Sequence, residues 1–364
     1  MKLLYADDVR VPWTTARAVQ VLLTCAALKR AEQDISLVCL RGPGDIASAM
    51  KAYGITDTFP VSRLPDLDIR YVRSIWFRSL FSLIIAMRRK DVVYTRDLGI
   101  SAACAIMGTP FALELHSMPV RPQQVAMLKR TLASSHMAAL FPITAAIRNA
   151  LIEQFGAPQA KLHVLPCAAD SPVNAPISQS DGEPLTVAYI GHLYPGKGGE
   201  TLLALAKEHS DVRFEIVGDA CDFSEPLSAL PNVTLHGNVV HTVAMQILGR
   251  AHVALAPYAP RTEAVDGKVI SDWFSPLKVF EYMAHGKAIA TSDLPVIREV
   301  LTHDQNALLV PPGEMSHWHA ALERLKDTNL RTRLANNARL DFERHYSYDR
   351  RAAKIVDALA GLKV

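Results

Sequence analysis

The sequence predicts an α/β protein built from two doubly wound parallel-sheet domains in tandem, and three observations carry that reading. Short apolar runs of strand length alternate with helix-length segments, a pattern that right-handed crossovers turn into a parallel sheet. The pattern breaks at residues 171–184, a polar stretch rich in Pro, Gly and Ser, and then starts again. Across 364 residues the chain is 49% hydrophobic and 21% charged, which supports two sizeable cores and is far from a disordered composition.

Taken in order, residues 2–5 and 35–40 read as short buried strands, with apolar residues at helical spacing over 16–31 between them. Residues 92–94, 111–115 and 139–142 supply further strands of a first domain spanning 1–170. After the linker at 171–184, the runs at 186–190, 214–217, 233–235, 253–256 and 288–291 supply the strands of a second domain over 185–345. Two such sheets in succession place a ligand cleft between the domains, at the carboxyl ends of the strands.

Composition narrows the function classes. Cys25, Cys39, Cys104, Cys167 and Cys221 are scattered with no Cys-x-x-Cys pair, so neither a zinc site nor a disulfide framework is expected, and a reducing, cytoplasmic setting fits. The apolar run before Asp7 and Asp8 is too short for a signal peptide. No stretch approaches the roughly 18 apolar residues of a membrane span. The net charge of +3 is uneven: residues 1–170 carry 20 Lys and Arg against 13 Asp and Glu, so the remainder is acidic. A basic first half suits an anionic surface, such as the inner face of the cytoplasmic membrane. Nucleic acid is not expected, because no dense basic run is interleaved with aromatics. Residues 74–87, apolar and flanked by Arg70, Arg73, Arg88, Arg89 and Lys90, fit an interfacial membrane helix or, more simply, a buried crossover helix with basic ends.

Three stretches carry chemistry. In residues 274–287, Ser275 can cap a helix that Pro276 opens and Gly286 closes in a left-handed conformation. Such a helix N-terminus concentrates N–H groups and positive dipole, where a phosphate is favoured. Glu281 shares a face with Lys278 and His285, so a carboxylate able to accept two ribose hydroxyls sits beside anion-holding amides. The plainer alternative is an amphipathic helix with a local Lys278–Glu281 pair. In residues 187–200 a strand ends at Gly191 and a glycine-containing turn carries Lys197 into a helix near Gly199 or Glu200, an arrangement able to hold a diphosphate. It is neither a Walker A loop nor Gly-x-Gly-x-x-Gly, so a P-loop ATPase or an ordinary dinucleotide site is disfavoured. Third, His116 closes a strand of the first domain, where an imidazole could meet a substrate hydroxyl, although a lone strand-end histidine is more often structural. Neither a His-Glu-x-x-His metal motif nor a Gly-x-Ser-x-Gly elbow is present.

The order of these stretches resembles the retaining, metal-independent glycosyltransferases of the GT-B fold, specifically family 4 with its group 1 C-terminal domain. Ile190-Gly-His-Leu through Lys197-Gly198, Phe214-Glu-Ile-Val-Gly-Asp219, Val233-Thr-Leu-His-Gly237, Ser275-Pro-Leu-Lys-Val-Phe-Glu-Tyr-Met-Ala-His-Gly286 and Asn306-Ala-Leu-Leu-Val-Pro-Pro-Gly313 follow one another as that family's elements do. In the first half the likeness is thinner, resting on Glu114-Leu-His116 and on residues 163–170. The resemblance implies two Rossmann-like domains facing across a cleft, with a C-terminal helix over about 346–364 packing back on the first. It implies that Lys197 neutralises a donor diphosphate, that Leu277 and Lys278 offer it backbone N–H groups, that Glu281 holds the ribose and that His116 faces the donor sugar. Ala16, Gly191, His192, Ser275 and Pro276 complete the donor-binding set. The activity implied is transfer of a sugar, with retention and without a metal or other cofactor, from a UDP- or GDP-sugar to a saccharide or lipid-linked saccharide.

Three departures stand out. Trp273 lies eight positions before Glu281, where many relatives carry a carboxylate, with Asp272, Asp266 and Glu263 as nearby substitutes. His192 stands where an arginine is common, replacing a fixed charge by a titratable one. Thr14-Thr-Ala-Arg17 occupies the place of a glycine pair. A non-catalytic nucleotide-sugar-binding homologue and a nucleotide-sugar 2-epimerase of the same architecture are the alternatives.

Overall fold

Two six-stranded parallel sheets with the same strand order organise the chain. The computed structural model describes residues 1–12, 15–66, 73–87, 92–170, 172, 184–260 and 272–360. The chain divides into one unit of Met1–Pro166 with Tyr348–Val364 and a second of Cys167–Ser347. The expected linker residues 173–183 lie outside the described residues.

The first unit's strands are β1 (Lys2–Val11), β2 (Asp34–Arg41), β3 (Val61–Leu64), β4 (Val92–Thr95), β5 (Phe111–Leu115) and β6 (Met137–Pro142). Between them run α1 (Ala16–Arg30), α2 (Ile46–Ala52), α3 (Arg73–Met87), α4 (Leu98–Met107) and α5 (Pro122–Leu132), with α6 (Ala145–Phe155) following β6. The second unit's strands are β7 (Thr186–Ile190), β8 (Arg213–Val217), β9 (Val233–Gly237), β10 (Val253–Ala256), β11 (Ala288–Ser292) and β12 (Leu308–Val310). Its helices are α7 (Gly199–Glu208), α8 (Ser224–Ser228), α9 (His241–Arg250), α10 (Leu277–Ala284), α11 (Pro295–Arg298), α12 (Met315–Arg324) and α13 (Thr328–His345). The last helix, α14 (Tyr348–Leu359), belongs to the first unit.

The sheet orders are β3-β2-β1-β4-β5-β6 and β12-β11-β10-β7-β8-β9. Each is the 3-2-1-4-5-6 order of a doubly wound sheet, so each reverses direction once, between β1 and β4 and between β7 and β10. Both faces of a parallel sheet must be covered, and the side chains alternate accordingly. In the second unit Val187, Tyr189, Phe214, Ile216, Val253, Leu255, Ala288, Ala290, Leu308 and Val310 form one buried layer with Leu202, Leu205, Trp318 and Leu322 of the covering helices. The intervening residues Ala188, Ala254 and Ile289 are buried too, as are Val279, Phe280 and Met283 of α10. Helices begin where a short polar side chain can accept a free amide: Thr15, Asp45, Asp97, Thr144 and Asp327 all do so as N-caps.

Three local differences from the sequence reading have physical reasons. The two edge strands, β3 and β12, were not anticipated; they have four and three residues, too few for a periodic signal. Strand β1 runs to Val11 rather than stopping at residue 5, because the acidic pair sits in an irregularity between Ala6 and Arg10 where Asp7 accepts the Val9 amide at 3.0 Å. In α3, Phe77, Phe81 and Ile85 are buried at i, i+4, i+8 spacing, which is the crossover-helix alternative. The basic residues expected to flank it, Arg70, Arg88, Arg89 and Lys90, lie outside the described residues. Among the described residues no helix is long and apolar enough to cross a membrane.

Candidate functional site

The reversal point of the second sheet is where a doubly wound fold binds ligands, because loops from β7 and β10 part there and leave helix N-termini exposed. Gly198 makes the approach of the two loops close: its φ is +87°, and a Cβ there would fall 2.1 Å from the Pro257 carbonyl oxygen. The Ala259 amide donates to the Gly196 carbonyl at 2.9 Å, fastening the turn after β7 to the segment after β10. Helix α7 then opens at Gly199 with no side chain capping it. Helix α10 is tied to the same place by the buried Tyr282, whose hydroxyl accepts the Ile190 amide at 3.0 Å and donates to the Leu255 carbonyl at 3.2 Å.

Two lysines converge in front of these helix ends. Lys278 Nζ lies 3.9 Å from the Tyr189 ring centroid and 5.3 Å from that of Tyr258. Lys197 Nζ lies 5.3 Å from the same Tyr258 ring and 5.8 Å from Phe274. A Cβ on Gly191 would come within 3.2 Å of Lys278 Nζ, so glycine at the end of β7 leaves room for that ammonium. Neither lysine forms an ion pair or side-chain hydrogen bond among the described residues. Burial brings Lys197 down to about 8. Burial first, and then the charge on Lys197, hold Lys278 well below the ordinary lysine range, against the pull of Glu281. Two half-buried lysines with no counterion among the described residues form an arrangement suited to an anion.

Several anticipated details are corrected. Ser275 is not the N-cap of α10: the helix starts one residue later with Pro276 as N-cap, and Ser275 Oγ instead accepts the Cys167 amide at 3.0 Å. Glu281 does not pair with Lys278. Its Oε1 meets His241 Nε2 at 3.0 Å, and that hydrogen bond raises the pKa of His241. His285 turns to the Glu281 backbone carbonyl at 2.8 Å. Gly286 does close the helix in the left-handed region, with φ +58°. His192 Nδ1 accepts the Asp219 amide at 2.9 Å, so Nε2 carries the ring proton and the side chain is a donor rather than a fixed cation. Trp273 is half-buried, Asp272 is exposed, and Glu263 and Asp266 lie outside the described residues.

The two remaining candidates lie in the first unit. Ala16 is exposed in the first turn of α1. His116, just past β5, has both ring nitrogens engaged: Arg96 Nη2 meets Nδ1 at 2.9 Å and Glu114 Oε1 holds Nε2. Arg96 can only donate, so Nδ1 is the acceptor and Nε2 carries the proton. A substrate hydroxyl would reach this ring only by displacing one of those partners. Burial, then Arg96, press the imidazole down to about 4, so it is neutral in the physiological range. Burial pushes Glu114 up, but Arg351 of α14, at 2.7 Å, and His116 outweigh it and hold the carboxylate well below its usual range. At the reversal point between β1 and β4, Arg17 bridges Asp7 at 2.5 Å and Asp8 at 2.7 Å. Burial raises Asp7 to about 6, and its Oδ2 is buried with no hydrogen-bond partner.

Sequence reasoning did not find Tyr189, Tyr258, Phe274, His241 or Tyr282. Tyr258 had a usable signal, since it lies two residues beyond a strand of the reversal point. His241 had none, being 40 positions from the glutamate it holds. Among the described residues no group of three or more His, Cys, Asp or Glu is placed to hold a metal ion.

The comparisons with known proteins agree with this layout. Residues 18–171 match the family model described as Glycosyltransferase Family 4, and residues 184–328 match Glycosyl transferases group 1. No curated protein matches the sequence. A glycosyltransferase from Rickettsia africae is similar in structure, with a TM-score of 0.75 at 13% identity over 99% of this chain and 100% of that one. HepE of Anabaena, solved in complex with UDP and glucose, gives a TM-score of 0.72 at 17% identity with full coverage of both chains. The lipopolysaccharide outer core galactosyltransferase WaaB gives 0.71 at 15% identity over 99% of each. These likenesses establish the GT-B α/β fold.

Proposed function

Since the chain belongs to glycosyltransferase family 4, with a group 1 domain as its second unit, we propose that it transfers a sugar from a nucleoside-diphosphate sugar to a saccharide or lipid-linked saccharide acceptor, retaining anomeric configuration and requiring no metal. The carrying observation is the pair of lysines at the reversal point of the second sheet, Lys197 and Lys278, which have no ion-pair partner among the described residues. UDP is the favoured nucleotide, because it is the one bound by the similar HepE. GDP remains the second choice.

In this reading the diphosphate lies between the two ammonium groups and the first turns of α7 and α10. Breaking the sugar–phosphate bond builds negative charge on the departing diphosphate, and preorganised cations and amides lower that barrier without a metal. Glu281, steadied by His241, accepts the ribose hydroxyls. A departing phosphate oxygen takes the proton of the attacking acceptor hydroxyl, so the new bond forms on the face the diphosphate leaves. A basic first unit suits an acceptor carried at an anionic membrane surface.

The test is a thermal-shift panel of UDP, GDP, ADP, dTDP and CDP with and without EDTA, followed by NMR of the anomeric product from the matching nucleotide sugar. A ligand at a hundred times its dissociation constant adds ~2.7 kcal/mol of stability, a readable shift. One nucleotide shifting the midpoint regardless of EDTA, and a retained anomer, support the reading. No shift with any of the five, or an inverted product, overturns it.

A further inference from the structure

The lysine pair has an awkward electrostatic position that points beyond simple charge complementarity. Lys278 is the second residue of α10, at the positive end of the helix dipole, where an ammonium is disfavoured. Its neighbours offer little relief. The turn after β7 brings Lys197, a like charge, to the same Tyr258 ring. Strand β7 contributes Tyr189, and the segment after β10 contributes Tyr258, both phenols being held protonated by burial. On its own helix Glu281 is committed to His241 of α9, and His192 is held by the Asp219 amide. Among the described residues the face of Tyr189 is thus the main favourable contact of the Lys278 ammonium, and a ring quadrupole replaces only part of its lost hydration.

We propose that Lys278 is a proton-linked anion clamp: largely uncharged in the empty site, it takes a proton from solvent as a diphosphate enters, and gives it back when the diphosphate leaves. This rests on the reading of the site as one for a nucleoside diphosphate. An entering diphosphate supplies the counterion that the two lysines lack among the described residues, and the attraction makes protonation of both favourable at once. The depressed pKa values of Lys278 and Lys197 agree with this. Affinity for the diphosphate therefore falls as pH rises, since each binding event must draw protons from a medium that holds fewer of them. The clamp also assists product release, because a lysine that sheds its charge loosens its hold.

The experiment is calorimetric titration of the wild-type protein with UDP at pH 8, in two buffers of different ionisation enthalpy. At that pH the phosphates are already deprotonated, so buffer-dependent heat counts protons taken up by the protein. Net uptake is expected in the wild type and less in Lys278→Arg, whose guanidinium is charged throughout and leaves only the Lys197 share. Lys278→Met is expected to weaken UDP by ~10–100-fold, the loss of a charge-assisted contact. Equal uptake in wild type and Lys278→Arg, or unaltered UDP affinity in Lys278→Met, overturns the clamp while leaving the nucleotide reading intact. Failure of UDP, GDP, ADP and inorganic pyrophosphate alike to bind removes the nucleotide reading and the clamp with it. A 15N-lysine NMR titration of the unsubstituted protein gives an independent reading. A lysine Nζ titrating far below the ordinary range, moved upward by UDP and absent from Lys278→Arg, supports the clamp; a Lys278 signal in the ordinary range overturns it.

Discussion

Single residues set what the candidate site can do, and several of them were visible in the sequence as residue types but not as partners. Lys197, Lys278 and Glu281 could be picked out because glycine turns and helix signals surround them. That Lys278 faces an aromatic ring, and that Glu281 turns to His241, depends on contacts spanning 89 and 40 positions, which no local pattern encodes. Lys197→Ala and Glu281→Ala should each reduce turnover at least ~100-fold, the usual scale for removing one preorganised transition-state contact; steady-state assays with the matched donor check this. Asp7 makes a different prediction. Its pKa rises from 3.8 to about 6 on folding, so its contribution to stability is fully present below the unfolded value and lost as pH climbs through the folded one. Asp7→Asn should flatten the stability profile between pH 4 and 6, measured by urea denaturation across that range.

At the scale of elements, ten of the twelve strands were legible because buried parallel strands read as continuous apolar runs. The two that were not are the short edge strands β3 and β12. Helix α10 was legible as a helix but misplaced at its start by one residue, since Ser275 looked like a cap and serves Cys167 instead. What orients α10 is Tyr282, which sits between the ends of β7 and β10 and satisfies one backbone group on each. Tyr282→Phe keeps the ring and leaves a buried amide and a buried carbonyl short of a partner, at a cost of ~1–3 kcal/mol. Because the helix carries both Lys278 and Glu281, the same change should raise the donor KM. Thermal denaturation and steady-state kinetics on one preparation measure both effects.

At the scale of the whole molecule, the repetition of a doubly wound parallel sheet followed from counting alternations, whereas the order of its strands did not, and the chain's return to its first unit rested on likeness to a family and not on any pattern in residues 346–364. The return is made specific by a charge. Arg351 on α14 meets Glu114 on β5 and also donates to the Pro166 carbonyl at 3.1 Å. Arg351→Met would remove the nearer of two guanidinium groups beside a buried carboxylate that Tyr94 and His116 continue to hold, a loss of ~1–3 kcal/mol that should appear as a lower midpoint for the first unit in calorimetry. The same helix has a consequence for how the protein matures on the ribosome. The second unit has all its strands and helices once residue 347 has emerged, but the first still lacks α14 and the nearer of the two guanidinium groups beside Glu114. The half that is translated first is therefore the half that is finished last. A chain truncated after residue 347 should show a protease-resistant second unit and a protease-sensitive first unit, and the full chain should protect both.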